Sequence, residues 1–419
     1  MSRIRGFKTG TSTFLLVIIS IVSNAQNNTF FTDNSKYRAI TTAVPFLMIS
    51  PDARSGALGD AGAAMPDDLN ALHWNVAKLP FNEKNGAVSI SYTPWLRALV
   101  PDVSLSYLSI YGKINDRSAV AASLRYFSMG EIQFTDNVGN PLGNYTPNEF
   151  AGDFGYAQKL SDKFSVGVAF RFIYSNLAGG FNQSSNPINP GKSYAGDITC
   201  YYKNDTRYKG YKINYGWGVA ATNIGSKMTY TSDNYANFIP INLRVGGYGQ
   251  FEIDKWNTVA LMIDLNKLMV PSPPIYQRDS AGNIMVDPNN NPKIQSGMNP
   301  RVPIVQGMMQ SFYDAPNGFV EELTEINIST GIEYWYDKQF ALRTGYFYEN
   351  PTKGNRQYMT FGIGLRYNVF GLDAAYLVSF GQRNPLDNTL RFSLTFDFDA
   401  FKMQNKSDEK RDAFDVPSN

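Results

Sequence analysis

Leu390-Arg391-Phe392-Ser393-Leu394-Thr395-Phe396-Asp397-Phe398 alternates without a break between large apolar and polar side chains. Successive side chains of a β-strand point to opposite faces. One face here therefore carries Leu390, Phe392, Leu394, Phe396 and Phe398, and the other Arg391, Ser393, Thr395 and Asp397. The same period returns upstream. Met359, Phe361, Ile363, Leu365, Tyr367 and Val369 alternate with Thr360, Gly362, Gly364, Arg366 and Asn368. Ile326, Ile328, Thr330, Ile332, Tyr334 and Tyr336 form a third set, and Phe164, Val166, Val168, Phe170 and Phe172 a fourth. A strand crossing a bilayer at a tilt needs about 9–11 residues, one face toward lipid and the other toward a polar lumen. These stretches fit that description.

A soluble β-sandwich also alternates, so the connections have to decide. The pattern predicts strands at 87–93, 103–111, 118–127, 150–159, 164–173, 195–203, 212–221, 242–251, 257–265, 325–336, 340–348, 356–369, 370–379 and 389–398. Short links (Gly112 to Arg117, Gln158 to Lys163, Lys203 to Tyr211, Glu252 to Trp256, Asp337 to Gln339, Phe370-Gly371) alternate with mostly longer ones, among them Ser128 to Glu149, Tyr174 to Tyr194, Thr222 to Ile241 and Asn266 to Thr324. A short turn at one end and a longer loop at the other is how outer-membrane barrels are built, and a sandwich has no reason to keep that asymmetry in step. The expected fold is an all-β transmembrane antiparallel β-barrel of about 14 strands over 87–401. If the N-terminus enters from the periplasm, the short turns are periplasmic and the long loops extracellular.

Composition agrees. Aromatics make up 14% of the 419 residues and charged residues only 18%, yet no apolar run approaches the roughly 20 residues a spanning helix requires. Arg3, Arg5 and Lys8 precede an apolar stretch from Phe14 to Val22, and Ser23-Asn24-Ala25 supplies small residues for cleavage before Gln26. Residues 1–25 thus read as a secretory signal peptide, placing the mature chain in the cell outer membrane, in contact with its lipid. Residues 26–86 are expected to form an N-terminal extension and hatch, and 402–419 a polar tail. A lone Cys200 gives no disulfide framework, and no Cys near the cleavage site offers a lipid anchor. A net charge of +2 offers no case for nucleic acid. No nucleophile elbow, metal-binding His pair or phosphate-cradling loop is present. We therefore expect no catalytic, cofactor or metal site and no enzyme activity; His73, the single histidine, reads as structural.

Two segments stand apart from the strands. Thr41 to Lys84 is rich in Ala, Gly, Asp and Leu; its small residues suit close packing against or inside the periplasmic end of a barrel, and Asp67 to Leu72 can open a short helix. The link from Asn266 to Thr324 is about sixty residues long, a length usually functional or disordered. Within it Val305, Met308, Met309 and Phe312 fall at i, i+3, i+4 and i+7, one apolar helical face, with Tyr313 beside it and Phe319 nearby. Met308, Met309, Phe312, Tyr313 and Phe319 are the candidate partner-binding residues, since Met and aromatics suit an adaptable interface. Packing across the barrel mouth is the alternative use of that face.

Ser50-Pro51-Asp52-Ala53-Arg54-Ser55-Gly56-Ala57-Leu58-Gly59-Asp60-Ala61-Gly62, preceded by Ala43 to Ile49 and followed by His73-Trp74-Asn75-Val76-Ala77-Lys78-Leu79, resembles the N-terminal signature of the PorV (LptO) family, outer-membrane barrels of the type IX secretion system. Val76 stands where that pattern has Pro. The resemblance extends through the barrel, and a fourteen-strand count agrees with that family's likeness to FadL-type transporters. It implies a hatch signature at Ser50, Pro51, Asp52, Arg54, Gly59, Asp60, Gly62, His73, Trp74 and Asn75. It also implies a role in protein export: binding C-terminal signal domains of secreted cargo as they leave an SprA-type translocon barrel, and carrying them to a PorU-type signal peptidase complex. A FadL-like channel for hydrophobic small molecules shares the barrel and hatch, and a purely structural surface barrel would need neither an apolar path nor apolar loops.

Overall fold

In the computed structural model fourteen antiparallel strands close into one barrel. The structure describes residues 37–398 apart from 97–99, 101, 136–137, 178–188, 231–235 and 381–385; the expected signal peptide and polar tail lie outside the described residues. The strands are β1 (Gly86–Pro94), β2 (Val103–Asn115), β3 (Ser118–Met129), β4 (Asn148–Lys159), β5 (Phe164–Asn176), β6 (Gly191–Tyr208) and β7 (Tyr211–Gly225). They continue as β8 (Asn242–Glu252), β9 (Asn257–Leu268), β10 (Asn327–Tyr336), β11 (Phe340–Tyr348), β12 (Gln357–Tyr367), β13 (Phe370–Ser379) and β14 (Leu390–Asp397). Each strand pairs with its neighbour in sequence, and the seam is β1 on β14, from Ala87 opposite Asp397 to Tyr92 opposite Phe392. Every expected strand is present, most of them longer at one or both ends.

The two faces are what the alternation predicts. On β14 Leu390, Phe392 and Leu394 are exposed while Arg391, Ser393, Thr395 and Asp397 are buried. On β12 Phe361, Ile363 and Leu365 are exposed and Thr360 is fully buried. An apolar outside around a polar inside is stable only where the outer solvent is lipid. Among the described residues no helix is long and apolar enough to cross a membrane, so strands do the crossing. The short turns follow their own chemistry: Lys209 and Gly210 (φ 52° and 88°) join β6 to β7, the left-handed pair that a two-residue hairpin needs.

The hatch departs from expectation in extent. It lies inside the barrel, but it is not confined to the short-turn end. Its first described part sits among the long loops: the Arg38 amide donates to the Thr352 carbonyl at 3.0 Å, and the Ala43 amide to the Phe238 carbonyl at 2.9 Å. A 3-10 turn (Pro45–Met48), helix α1 (Ala53–Gly56), helix α2 (Ala71–Trp74) and a second 3-10 turn (Val76–Phe81) then carry the chain down the lumen to β1. The reason is apolar. Val44, Phe46 and Leu47 join Phe127, Ile173, Phe238 and Met269 in one buried cluster at the long-loop end, whereas Leu72, Val76 and Leu79 pack with Tyr111, Ala119 and Ala121 lower down.

The long β9–β10 connection is not structureless. It holds a small hairpin (Ile275–Tyr276 with Ile294–Ser296) and two helices, α3 (Ile304–Gln310) and α4 (Phe319–Thr324). α3 covers Val305, Met308 and Met309 of the helical face read from the sequence, and Phe312 lies just beyond its end.

Candidate functional site

The hatch signature residues bond the plug to itself and to the wall. Asp52 caps α1 through the Ser55 amide (2.8 Å), and its other oxygen accepts from Trp74 Nε1 at 2.7 Å, tying the two helices together. Ser50 and Pro51, just before it, are buried. Arg54 makes a two-pronged pair with Glu333 of β10 (2.9 and 2.8 Å), which also accepts from Arg343 of β11 (2.6 Å); Arg343 in turn holds Asp373 of β13 at 2.8 Å. Asp60 accepts from Arg391 of β14 (2.7 Å) and from the Tyr358 hydroxyl of β12 (2.5 Å). The amides of Gly62 and Ala63 converge on one oxygen of Asp264 of β9 at 2.7 and 2.8 Å. Asn75 donates to the carbonyls of Ala63 and Cys200, both at 3.0 Å.

Sterics account for the signature glycines. Gly59 has φ +67°, and a Cβ there would lie 2.5 Å from the Tyr346 carbonyl oxygen. Gly62 lies flat against the Trp74 indole, leaving no room for a methyl. His73 is buried, and its Nδ1 accepts from the Arg125 guanidinium at 2.7 Å, so the ring is the neutral tautomer with its proton on Nε2. Arg244 stacks over Trp74 at 4.4 Å. Val76, at the position where the family pattern has Pro, points its two methyls at Gly155 of β4 and Gly167 of β5. A branched side chain fills that space, so the departure is absorbed by packing.

The second constellation is at the long-loop end. Of the predicted partner residues Met309, Phe312, Tyr313 and Phe319 are exposed; Met308 is not, because it turns inward and packs on the cluster containing Phe238. Two residues that the sequence reading passed over join the exposed set, Val320 and Leu323 of α4. α4 is inverted. Phe319 and Val320 are 73% and 74% exposed, while Glu321, Glu322 and Glu325 are buried. Three cations from three parts of the chain hold the carboxylates in. Arg38 reaches Glu321 at 2.6 and 3.2 Å, and Lys353 reaches Glu321 at 2.6 Å and Glu325 at 2.8 Å. Lys267, at the end of β9, reaches Glu322 at 2.9 Å and Glu325 at 2.7 Å. Burial works against the ionised Glu321, but the bonds from Arg38 and Lys353 outweigh it and hold this carboxyl below its ordinary value.

Asp314 completes the layer beneath the helices. It accepts from the Ser272 amide (3.1 Å) and from Gln310 of α3 (3.2 Å), while the Ser272 hydroxyl donates to Glu325 at 2.6 Å. Burial pushes the Asp314 carboxyl up to about 6. The polar face of α4 is thus turned in and its apolar face out.

A family model described as Type IX secretion system protein PorV matches residues 32–275, more than half of the chain. No curated protein matches. Among solved structures, the Pseudomonas putida toluene transporter TodX is 13% identical, with 83% of this chain and 98% of that chain covered and a TM-score of 0.46. The Ralstonia pickettii toluene transporter TbuX is 12% identical, with 82% and 96% covered and a TM-score of 0.42. A Pseudomonas aeruginosa FadL homologue is 10% identical, with 86% and 100% covered and a TM-score of 0.40.

Proposed function

The chain belongs to the PorV family of type IX secretion system proteins, and from that premise we propose that it captures C-terminal signal domains of secreted cargo on its long-loop face. In this reading the barrel is an outer-membrane component with its long loops outside the cell. It receives cargo from an SprA-type translocon barrel and delivers it to a PorU-type signal peptidase complex, without cleaving anything itself. The observation that carries the reading is the exposed apolar set on and beside the two helices: Met309 of α3, Phe312 and Tyr313 just after it, and Phe319, Val320 and Leu323 of α4 are exposed at the end of the barrel opposite the short turns. Large side chains that become buried at the centre of an interface carry most of its energy.

A FadL-like channel for hydrophobic small molecules shares the barrel and hatch, and needs in addition a continuous apolar path past the hatch. The hatch instead bonds to inward side chains of β3, β9, β10, β12 and β14. That supports a plug. The test is Met309→Ala with Phe312→Ala, and separately Phe319→Ala with Leu323→Ala. Each pair is expected to keep the heat-modifiable gel migration of a folded barrel and to lower recovery of co-purified cargo at least tenfold, since truncating a central anchor costs more than about 1 kcal/mol. Normal cargo recovery from both well-assembled variants would remove this face from the mechanism.

A further inference from the structure

We propose that Arg38 is a positioning residue for the docking face, and that the segment from Arg38 to Leu47 is a clasp joining that face to the plug. This rests on the docking reading above. α4 has six residues and no side-chain cap at its N-terminus, and a helix that short has no stability of its own. Its orientation is therefore set by what holds its inner face. Three cations, Arg38, Lys267 and Lys353, meet three glutamates, Glu321, Glu322 and Glu325. Lys267 and Lys353 belong to the barrel, at the end of β9 and in the β11–β12 loop. Arg38 is the member that comes from the other direction.

Arg38 is fastened twice. Its guanidinium grips both oxygens of Glu321, and its amide donates to Thr352, the neighbour of Lys353. Six residues on, Val44 has φ 48° and ψ 52°, a left-handed conformation that a β-branched side chain adopts only under constraint. The constraint is visible on both sides. Upstream is the Arg38–Glu321 grip together with the Ala43–Phe238 bond, and downstream Phe46 and Leu47 are buried among Phe127, Ile173 and Met269. The strained residue thus connects a segment fixed to the docking loop with a segment fixed in the lumen. Losing Arg38 leaves two cations against three glutamates, so α4 loses both a contact and its charge balance.

The test uses the full chain in detergent or nanodiscs and compares Arg38→Met with Arg38→Lys. Methionine keeps the stem and removes the charge; lysine keeps the charge and loses the two-pronged grip. Hydrogen exchange of the amides from Val320 to Ile326 is the readout independent of cargo. It is expected to speed up about tenfold in Arg38→Met and to fall between the two in Arg38→Lys. Capture of a purified C-terminal signal domain from a co-purified cargo protein is expected to weaken in the same order. Unchanged exchange in Arg38→Met overturns the clasp, and so does faster exchange with full capture. If Arg38→Met fails to assemble, Glu321→Gln removes the partner charge without touching the N-terminal segment and must speed up the same amides. A Phe319→Ala, Leu323→Ala variant with normal capture sinks the docking reading instead, and exchange alone then judges the clasp.

Discussion

Glu333 sits where plug and wall meet, and its loss should be far more damaging than its size implies. Its carboxylate takes two bonds from Arg54 and one from Arg343, with the Glu333 and Arg343 side chains almost wholly buried and Arg54 only slightly exposed. Glu333→Leu leaves both guanidinium groups without that charge. Removing one partner of a buried pair costs about 3–5 kcal/mol, which is a factor of roughly 10² to 10⁴ in the docked-to-undocked ratio of the hatch. Arg343 retains Asp373 at 2.8 Å, and Arg54 retains the carbonyls of Pro66 and Asp67, so the lower end of that range is expected. Replacing both partners, Arg54→Met with Glu333→Met, removes that pair together and should recover most of the loss, because apolar replacement of a buried pair is often neutral and Arg343 keeps Asp373. The assay is the urea midpoint of heat-modifiable migration, together with conductance in planar lipid bilayers. Glu333→Leu should lower the midpoint and open intermittent conductance, and the double variant should lie near the parent. A double variant as damaged as the single one, or a single variant with an unchanged midpoint and a closed lumen, would refute the reasoning.

Gly345→Ala should prevent the hatch from seating, since its Cβ would overlap the backbone of Leu58 and Gly59, whereas Gly112→Ala meets nothing within 4 Å and should migrate like the parent on gels. Met308→Ala should destabilise the loop in thermal melts, by less than the roughly 2–5 kcal/mol of a fully buried Met because Met308 is only partly buried, while Met309→Ala changes stability little. Asp314 provides a pH test. Its folded value of about 6 lies above that of an unfolded carboxyl, so the folded loop is favoured at low pH and loses stability as pH rises through 6. Proteolysis of the 269–326 segment should therefore be slower at pH 5.5 than at pH 7.5, and Asp314→Asn should abolish the difference.

The wall was legible because lipid on one side and a polar lumen on the other force a strict period of two, and Leu390 to Phe398 or Met359 to Val369 can satisfy it only as strands. The turns were legible for the same reason. The hatch was recognisable by its small residues, but its depth was not: Val44, Phe46 and Leu47 find their apolar partners on distant strands and loops, among them Phe127, Ile173, Phe238 and Met269. Met308 and Met309 look alike in a helical repeat, and only the position of Phe238 separates them. α4 was hidden most completely. Phe319-Val320-Glu321-Glu322-Leu323-Thr324-Glu325 reads as a helix with its acids in water. Lys267, Lys353 and Arg38, distant in sequence, turn it over.

The seam between β1 and β14 also constrains how the molecule can be made. Ser393 of β14 receives the amide of Ala53 and touches Ser91 of β1, and Arg391 holds Asp60. The last strand therefore meets the first strand and the plug along one edge. Gly59 and Gly345 bring the seated plug and the wall into direct backbone contact. Closing β14 against β1 while the plug is already inside the open sheet would make all of these contacts in one step.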